Sequence, residues 1–182
     1  MSAELELDLT LYPAPVLRRV AASVEAFDEE LERLVAAMFA RMAASKGVGL
    51  AAPQVGLKKR VLVLNPTGDP QDALALVNPK LKELFGPKTV FDEGCLSFPG
   101  IFAEIERPDG CRVEAIDAAG NPIQGEYTGF VSRIIQHEHD HLEGILLVDR
   151  MSPADKLRNK AALEELVARY KDSKKATPAR RR

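Results

Sequence analysis

His137 and His141 stand four residues apart, and Glu138 directly follows the first of them. Positions i and i+4 of an α-helix lie on one face, so both imidazoles can reach one metal ion. Glu138 would sit about 100° around that helix from His137, where a carboxylate can take a proton from a bound water. The pattern predicts metal-assisted attack of water on a carbonyl group. The alternative is an ordinary exposed stretch of helix.

The residues around this motif favour a buried helix. Apolar side chains recur at helical spacing on both sides of it, so that one face can enter a core: Phe130, Val131, Ile134, Ile135 and Leu142. We predict a helix from about Gly129 to Leu142, with Gly144 as its stop signal. All three histidines of the chain fall inside this window, which strengthens the catalytic interpretation.

The composition indicates a single domain with a sizeable core, since the chain has 182 residues, of which 46% are hydrophobic. No apolar run approaches the ~20 residues that a membrane span needs. The acidic N-terminus has neither the pattern of a secretory signal nor that of a transit peptide. Two cysteines, Cys95 and Cys111, predict no disulfide framework, so a reducing cytoplasm is the expected compartment.

Capping and turn residues predict the order of the elements. Asp28 is a candidate N-cap for a helix that runs to about Ala44, with Gly47 as its stop. A last helix opens at Ser152-Pro153. Five short strands are predicted between the first helix and the catalytic helix, at 60–64, 73–77, 89–91, 112–116 and 123–127.

These elements predict an α+β fold in which short, mixed and mainly antiparallel strands surround a central catalytic helix, with an N-terminal helix and a C-terminal helix. The single catalytic domain is expected to span residues 1–171. The last helix has an apolar stripe at Leu157, Ala161, Leu163, Leu166, Val167 and Tyr170. Residues 172–182 lack an apolar pattern and are predicted to form a basic, disordered tail.

A third metal ligand is predicted at Cys95. A catalytic metal usually takes three protein ligands and leaves one position for water, and a thiolate suits a borderline or soft cation. The alternative, a buried structural thiol, fits Cys111 better, because that residue begins an ordinary half-exposed strand pattern. Upstream, Gly47 and Gly49 allow close approach of a substrate backbone, although a helix stop and a turn would explain that stretch alone.

Together these stretches resemble the three motifs of peptide deformylases. The matching patterns are Gly-x-Gly-Leu-Ala-Ala-x-Gln at 47–54, Glu-Gly-Cys-x-Ser at 93–97 and Gln-His-Glu-x-Asp-His-Leu-x-Gly at 136–144. They occur in the family's order and spacing, and the resemblance covers about residues 10–170. It implies a metallo-hydrolase that removes the N-formyl group from the N-terminal methionine of newly synthesised polypeptides and releases formate.

The resemblance also implies roles for residues of this chain. One divalent ion, commonly Fe²⁺ in the family, with Zn²⁺, Ni²⁺ or Co²⁺ able to replace it, would be bound by Cys95, His137 and His141. Glu138 would accept a proton from water and pass it to the leaving amine. The side-chain amide of Gln54 and the backbone N–H of Leu96 would stabilise negative charge on the carbonyl oxygen.

Substrate contacts follow from the same resemblance. Gly49 and the backbone beside it would hold an extended peptide, and Arg133 would lie at the pocket mouth or in solvent. Glu93 would pair with Arg107 near the site, unless both are ordinary surface charges. The methionine side chain would enter a pocket formed by Val48, Phe91, Phe130, Ile134 and the stem of Glu93. Phe102 stands where some members carry an arginine that holds the peptide, so contacts to downstream residues do not carry over.

The expected partners are N-formylmethionyl nascent peptides, with no membrane and no sequence-specific nucleic acid. The C-terminal helix and the basic tail would contact ribosomal RNA through its phosphates, unless the tail serves only solubility. The compartment would be a bacterial-type cytoplasm or, for a processed form, an organelle.

Two other functions remain open from the residues alone. A zinc metallopeptidase shares the His-Glu-x-x-His helix, but usually takes a third histidine or a glutamate as ligand rather than an upstream cysteine. A metal-stabilised module that binds ribosomes without catalysis would have no need of Glu138.

Overall fold

The computed structural model describes residues 5–176, which form an α+β fold around one antiparallel sheet. The strands follow one another across the sheet in chain order. They are β1 (Gly49–Ala51), β2 (Val61–Leu64), β3 (Leu74–Cys95), β4 (Phe98–Ile116) and β5 (Pro122–Thr128). The helices are α1 (Glu29–Ala44), α2 (Gly129–Leu142), α3 (Leu147–Arg150), α4 (Pro153–Arg158) and α5 (Lys160–Ala176). This architecture confirms the predicted fold class.

The strand lengths differ from the prediction of short, mixed strands. β3 and β4 form one long hairpin of 22 and 19 residues, and the predicted strands at 73–77 and 89–91 are parts of β3. Register shifts let this ribbon pass Asn78-Pro79, which looked like the end of a strand. Between the named strands of residues 5–176 every pairing is antiparallel, and an isolated bridge between Ala22 and Lys59 is parallel.

α1 packs its apolar stripe against β1 and β2. The side chain of Asp28 accepts hydrogen bonds from the backbone N–H groups of Glu30 and Leu31, both at 3.1 Å, as expected of an N-cap. The buried stripe consists of Leu31, Leu34, Val35, Met38 and Met42. Lys46, rather than Gly47, takes the left-handed conformation after the helix (φ 56°).

α2 runs through the centre of the molecule with the predicted bounds. It contacts β1, β2, β4 and β5, and Ile134, Ile135 and Leu142 lie in the apolar cluster between helix and sheet. Gly144 ends it with φ +71°, and a Cβ at that position would lie 2.6 Å from the carbonyl oxygen of Arg18. The stop after α2 therefore needs glycine both for its backbone conformation and for close packing.

From Ser152 onward the chain forms two helices, α4 and α5, instead of the one predicted. Ser152 caps α4 as expected, but this helix ends at Asn159. The side-chain amide of Asn159 donates to the carbonyl oxygen of Phe102 (2.9 Å). Leu157, assigned to the apolar stripe, is 75% exposed. Because Leu157 belongs to α4 and not to α5, it does not share the apolar face on which Leu166 is buried. Leu166 of α5 is buried as predicted.

The helical structure also extends into the region predicted as a disordered tail. α5 continues to Ala176, and Lys175 pairs with Asp172 (3.5 Å) within its last turn. Lysine is a good helix former, so a helix anchored at Leu166 extends through a charged stretch that has no apolar pattern. The rest of the predicted tail, 177–182, lies outside the described residues. Within residues 5–176, no helix combines the length and apolar character that crossing a bilayer requires.

Candidate active site

Three side chains meet between α2 and the end of β3. His137 and His141 lie one turn apart on α2, and Cys95 is the last residue of β3. One ligand atom of each lies within 4.8 Å of those of the other two, and Cys95 Sγ is 3.3 Å from His141 Nε2. The helical histidine pair and the upstream cysteine, which are distant in sequence, therefore share one site.

His137 is oriented by Glu93. Its Nδ1 lies 3.0 Å from Glu93 Oε2, which directs Nε2 towards Cys95. Burial opposes protonation of His137, but hydrogen bonds to Cys95 and Glu93 outweigh it and raise its pKa well above the usual value. Burial lowers the pKa of His141 well below that value. Because a metal binds unprotonated imidazole, metal binding and protonation of His137 compete.

A buried ion pair holds Glu93 in place. Arg107 donates to both carboxylate oxygens of Glu93, at 2.8 and 3.1 Å, so the pair predicted from the sequence lies in the interior and not on the surface. Burial disfavours the ionised form of Glu93, but hydrogen bonds from His137 and Arg107 outweigh it and lower its pKa to about 2. Glu93 is therefore ionised and fixes the ring of His137.

Arg133 and Asp140 extend this network from α2. Arg133, expected at the pocket mouth or in solvent, is buried instead and donates to Glu93 (2.8 Å) and to backbone oxygens of β3 and β4 (2.8 and 3.0 Å). Asp140 accepts from Arg107 on β4 (2.9 Å) and from Arg150 on α3 (2.5 and 3.0 Å). This role of Asp140 was not predicted from the sequence, although its place in the third motif was a usable signal.

Glu138 stands apart from this network. Its Oε2 is buried and has no hydrogen-bond partner within residues 5–176. Burial raises the pKa of Glu138 to about 7, while the charges of His137 and Arg107 act in the opposite direction. A Cβ at Gly49 would lie 2.5 Å from Glu138 Oε1, so the glycine leaves the space that this carboxylate occupies. The free oxygen and the raised pKa suit a group that exchanges protons.

Gln54 presents its amide to Cys95. Its Oε1 accepts from the backbone N–H of Ala51 (2.8 Å), which leaves Nε2 facing Cys95 Sγ at 3.5 Å. Gln54 is 1% exposed and lies in the 3₁₀ turn Ala52–Val55 that follows β1. Leu96 begins the turn between β3 and β4, directly after Cys95. Both predicted donors therefore lie next to the ligand cluster.

The N-terminal segment links the two turns that carry these donors. The backbone N–H of Thr10 donates to Gln54 O (2.7 Å), and that of Tyr12 donates to Ser97 O (3.0 Å). The Tyr12 ring stacks on Phe98 with centroids 4.9 Å apart. This link was not predicted from the sequence, because backbone pairing of an extended segment depends on tertiary contacts and not on a side-chain pattern.

A cavity of about 550 Å³ opens beside the ligand cluster. Phe91 and Phe130 contact each other in its lining, with ring centroids 5.8 Å apart, and both remain half exposed. The lining contains every predicted substrate-binding position, namely Val48, Gly49, Phe91, Glu93, Phe130, Arg133 and Ile134. It also contains Leu9 and the Phe98–Phe102 stretch, which the sequence analysis did not assign to the pocket. The size and apolar walls suit a ligand with an apolar side chain.

The ligand cluster fits a divalent transition-metal ion. One thiolate and two imidazoles are donors that zinc, iron, cobalt and nickel accept, and three protein ligands leave a position for water. Glu93 supports His137 in the way that carboxylates commonly support metal-bound histidines. Oε2 of Glu138, beside this cluster in sequence, is buried without a hydrogen-bond partner and is free to accept one from a ligand.

The chain is similar in sequence and structure to one family of known proteins. The sequence profile described as Polypeptide deformylase matches residues 7–157. The chain belongs to the polypeptide deformylase family. Peptide deformylase of Thermotoga maritima is 39% identical over 163 residues, which cover 90% of this chain and 98% of that protein. Peptide deformylase 1B, chloroplastic/mitochondrial, of Arabidopsis thaliana is 43% identical over 173 residues, or 93% of this chain.

The deformylase match differs in extent between relatives. The chain spans 63% of the Arabidopsis protein's length and 64% of that of peptide deformylase 1B, chloroplastic, from Oryza sativa. A solved plant peptide deformylase, PDF1B, has a TM-score of 0.90 at 41% identity, covering 100% of both chains. Plasmodium falciparum peptide deformylase has a TM-score of 0.88 at 40% identity, covering 91% of this chain and 98% of that one. The predicted family is therefore confirmed.

All three deformylase motifs border the same cavity or the ligand cluster. Each motif comes from a different part of the fold: the first from β1 and its 3₁₀ turn, the second from the β3–β4 turn, and the third from α2. Deformylases are hydrolases, and the geometry of this member brings Glu138 and the cluster of Cys95, His137 and His141 together beside one apolar pocket.

Proposed function

We propose that this protein removes the N-formyl group from the N-terminal methionine of newly synthesised polypeptides and releases formate. The observation that carries the proposal is that Cys95, His137 and Glu138 line one apolar cavity, with His141 completing the ligand cluster beside it. Family membership supports the same reaction. We assign the catalytic unit to residues 1–171, with Leu166 holding α5 against the core.

Glu138 carries the proton in this proposal. It accepts a proton from water as the water oxygen attacks the formyl carbon, and delivers that proton to the amide nitrogen as the carbon–nitrogen bond breaks. Formate and a methionyl peptide with a free amine result. A divalent cation bound by the cysteine and the two histidines supplies Lewis acidity towards water and the formyl oxygen.

Two N–H groups stabilise the negative charge that develops on the formyl oxygen. One is the side-chain amide of Gln54, and the other is the backbone N–H of Leu96. The bond from Ala51 to Gln54 Oε1 supports this role, because it orients the Gln54 N–H groups before the substrate arrives.

The substrate backbone lies along β1, and its methionine side chain occupies the apolar end of the cavity. Among the strands of residues 5–176, β1 pairs only with β2 and so forms an edge of the sheet, to which an extended peptide can add. Gly49 leaves room for that peptide. The guanidinium of Arg133 lies 5.5 Å from the centroid of Phe91 and supports that wall of the methionine pocket.

For the resident ion we propose Fe²⁺, with Zn²⁺, Ni²⁺ or Co²⁺ able to occupy the same donors. A thiolate and two imidazoles do not discriminate strongly among these ions, so availability decides which is bound. Elemental analysis of protein purified without oxygen tests this assignment. One equivalent of iron supports it, and one equivalent of zinc with no iron overturns it.

Formate release from a formyl-Met-Ala peptide tests the proposed function. We expect release by the metal-loaded protein, and a loss of at least about 100-fold in Glu138→Ala with the metal content unchanged. His139→Gln is the matched control, because His139 sits on the same helix but lies against Arg60 and Glu143. Cleavage of an internal peptide bond without formate release would favour a metallopeptidase. If the protein catalyses neither reaction, the non-catalytic, metal-stabilised module is favoured instead.

We further propose that the end of α5 and the basic tail contact the ribosome. Lys171, Lys174 and Lys175 are exposed at the end of α5, where they can meet RNA phosphates. Co-sedimentation with ribosomes at low salt, with and without residues 172–182, tests this contact. Equal co-sedimentation of both forms removes it and leaves the tail a solubilising role.

The proposed compartment is one in which proteins begin with formylmethionine, namely a bacterial-type cytoplasm or, for a processed form, an organelle. The names of the Arabidopsis and rice relatives assign those proteins to chloroplasts or mitochondria. Immunodetection in fractionated cells tests the assignment.

A further inference from the structure

The N-terminal segment that precedes α1 crosses both turns that carry the proposed donors to the formyl oxygen. The backbone N–H of Thr10 donates to the carbonyl oxygen of Gln54 (2.7 Å). Two residues further on, the N–H of Tyr12 donates to the carbonyl oxygen of Ser97 (3.0 Å), in the turn that also contains Leu96. One short segment therefore joins two motifs that are distant in sequence, at the residues beside or within each donor.

The turn that carries Leu96 is not specified by its own residues. Cys95 pairs with Phe98, so Leu96 and Ser97 form a two-residue loop between β3 and β4. Loops of this length usually have positive φ and contain glycine or asparagine, because the twist of such turns matches that of the strands. Neither Leu96 nor Ser97 has a positive φ, and the register of the ladder shifts between Gly94 and Cys95. Contacts from outside the hairpin must therefore hold this loop.

Such contacts come from two parts of the chain. The Leu96 side chain packs on Gly47, where a Cβ would lie 2.7 Å from Leu96 Cδ1. The Tyr12 ring stacks on the fully buried ring of Phe98, with centroids 4.9 Å apart, and the Tyr12 N–H holds the Ser97 carbonyl. The Ser97 hydroxyl is buried and has no hydrogen-bond partner within residues 5–176, so it adds no polar anchor there. Tyr12 thus supplies both an aromatic and a polar contact to the end of the loop.

We propose that Tyr12, together with the backbone N–H of Thr10, is a positioning residue that sets where the N–H groups of Leu96 and Gln54 meet the formyl oxygen. The inference rests on the proposed deformylase function, which gives these donors a reaction to serve. Tyr12 does not line the cavity, so its effect reaches the substrate through the loop. A displaced donor matters most when negative charge has developed, so the loss falls on kcat and not on KM.

Steady-state kinetics with a formyl-Met-Ala peptide compare two substitutions of Tyr12. We expect Tyr12→Ala to lower kcat by about tenfold, with KM changed by less than about twofold and the metal content unchanged. Tyr12→Phe keeps the ring that stacks on Phe98 and retains the wild-type kcat. Phe27→Ala is the matched control, because Phe27 is also a partly buried aromatic residue before α1 but packs on the apolar cluster beneath that helix. It lowers Tm without lowering kcat.

Removal of a backbone N–H tests the same link without changing the aromatic stack. Thr10→Pro deletes the donor to the Gln54 carbonyl and is expected to lower kcat by about tenfold, again with little change in KM. Asp8→Pro is its control, because Asp8 is exposed in the same segment and its N–H makes no hydrogen bond within residues 5–176. Far-UV circular dichroism shows whether each variant is folded.

An unchanged kcat in Tyr12→Ala overturns the inference, as does a rise in KM at constant kcat or an equal fall of kcat in Phe27→Ala. Should Tyr12→Ala fail to fold, an unchanged kcat in Thr10→Pro overturns it instead. Turnover by the wild-type protein separates this failure from that of the proposed function. Formate from the wild type with no effect of these variants rejects the positioning role alone. No formate from the metal-loaded wild type rejects the deformylase assignment and the positioning role with it.

Discussion

Cys95 and Cys111 show how the surroundings of a residue decide its chemistry. Cys95 is partly exposed beside two histidines, whereas Cys111 is buried in β4. Burial raises the pKa of the Cys111 thiol, and a hydrogen bond with Ser132 only partly offsets it. The thiolate is the form that binds metals and reacts with electrophiles, so one cysteine suits a metal site and the other suits a core.

We therefore expect iodoacetamide to alkylate Cys95 but not Cys111 in the folded, metal-free protein. Saturation with a divalent metal should protect Cys95, because its sulfur is then a ligand. Mass spectrometry of proteolytic fragments measures both sites in one sample, and unfolded protein is the control in which both react. Labelling of Cys111 in the folded protein would contradict the assignment.

Substitution of Gln54 tests whether its side-chain amide stabilises the negative charge that develops on the formyl oxygen. We expect Gln54→Ala to lower kcat by about 100-fold with KM and metal content nearly unchanged, because the lost N–H matters most in the transition state. Steady-state kinetics and elemental analysis measure both. A higher KM at constant kcat would show that Gln54 binds the substrate without favouring the transition state.

At the scale of elements, α2 is tied to the β3–β4 hairpin by buried charges as well as by apolar packing. Arg107 of β4 joins Glu93 of β3 to Asp140 of α2. Removing one partner of a buried ion pair leaves an uncompensated charge in the interior, which is more costly than never having the pair.

Arg107→Leu should accordingly lower the free energy of unfolding by about 3–5 kcal/mol. Arg112→Leu is the matched control, because Arg112 lies on the same strand and pairs with Glu83 and Glu126 at the exposed surface. Its loss should change stability far less. Urea unfolding of both variants measures the difference, and equal effects would contradict the importance of the buried network.

The low pKa of Glu93 predicts how the stability of the metal-free protein depends on pH. Its pKa is about 2 in the folded protein against 4.5 for the free side chain, so the folded state binds fewer protons between these values. Ionised Glu93 then stabilises the fold above pH 4.5, by on the order of 3 kcal/mol, and this contribution is lost as the pH falls towards 2. Urea unfolding between pH 5 and 2 measures the slope. Glu93→Gln should have a flatter profile, and an identical profile would contradict the assignment.

What the sequence predicts of these elements depends on whether the signal is local. The bounds of α2 follow from a helical apolar period and a glycine at 144, and the structure has the same bounds. The length of β3 does not follow, because Asn78-Pro79 looks like a turn and is absorbed by shifts in the ladder. The burial of Arg133 does not follow either, since its partners lie on strands distant in sequence.

At the scale of the whole molecule, three apolar clusters surround the candidate active site. Ile134 belongs to the cluster between α2 and the sheet, Leu96 packs on the cluster beneath α1, and Cys95 packs on the cluster beneath the C-terminal helices. The N-terminal segment then joins the Gln54 turn to the Ser97 turn through backbone bonds. The position of the ligands is thus set by the entire core and not by a local loop.

This placement predicts that removal of the metal leaves the fold intact. We expect protein treated with a chelator to keep its far-UV circular dichroism and a cooperative thermal transition, with a Tm lowered only by the lost binding energy. Far-UV circular dichroism of the loaded and stripped forms measures the first property, and calorimetry measures the transition and its Tm. Loss of the cooperative transition on chelation would instead indicate a module that the metal holds together.

The Glu93–Arg107–Asp140 bridge therefore has a consequence for how the protein acquires its ion. In small metal-dependent domains the binding energy of the ion drives folding, and the empty chain is a target for proteolysis. Here Glu93 orients the imidazole of His137 in the metal-free protein, and Arg107 holds Glu93 in place. We therefore expect the metal-free form to remain folded with His137 in place, so that it can bind a divalent ion, or replace a lost one, without refolding.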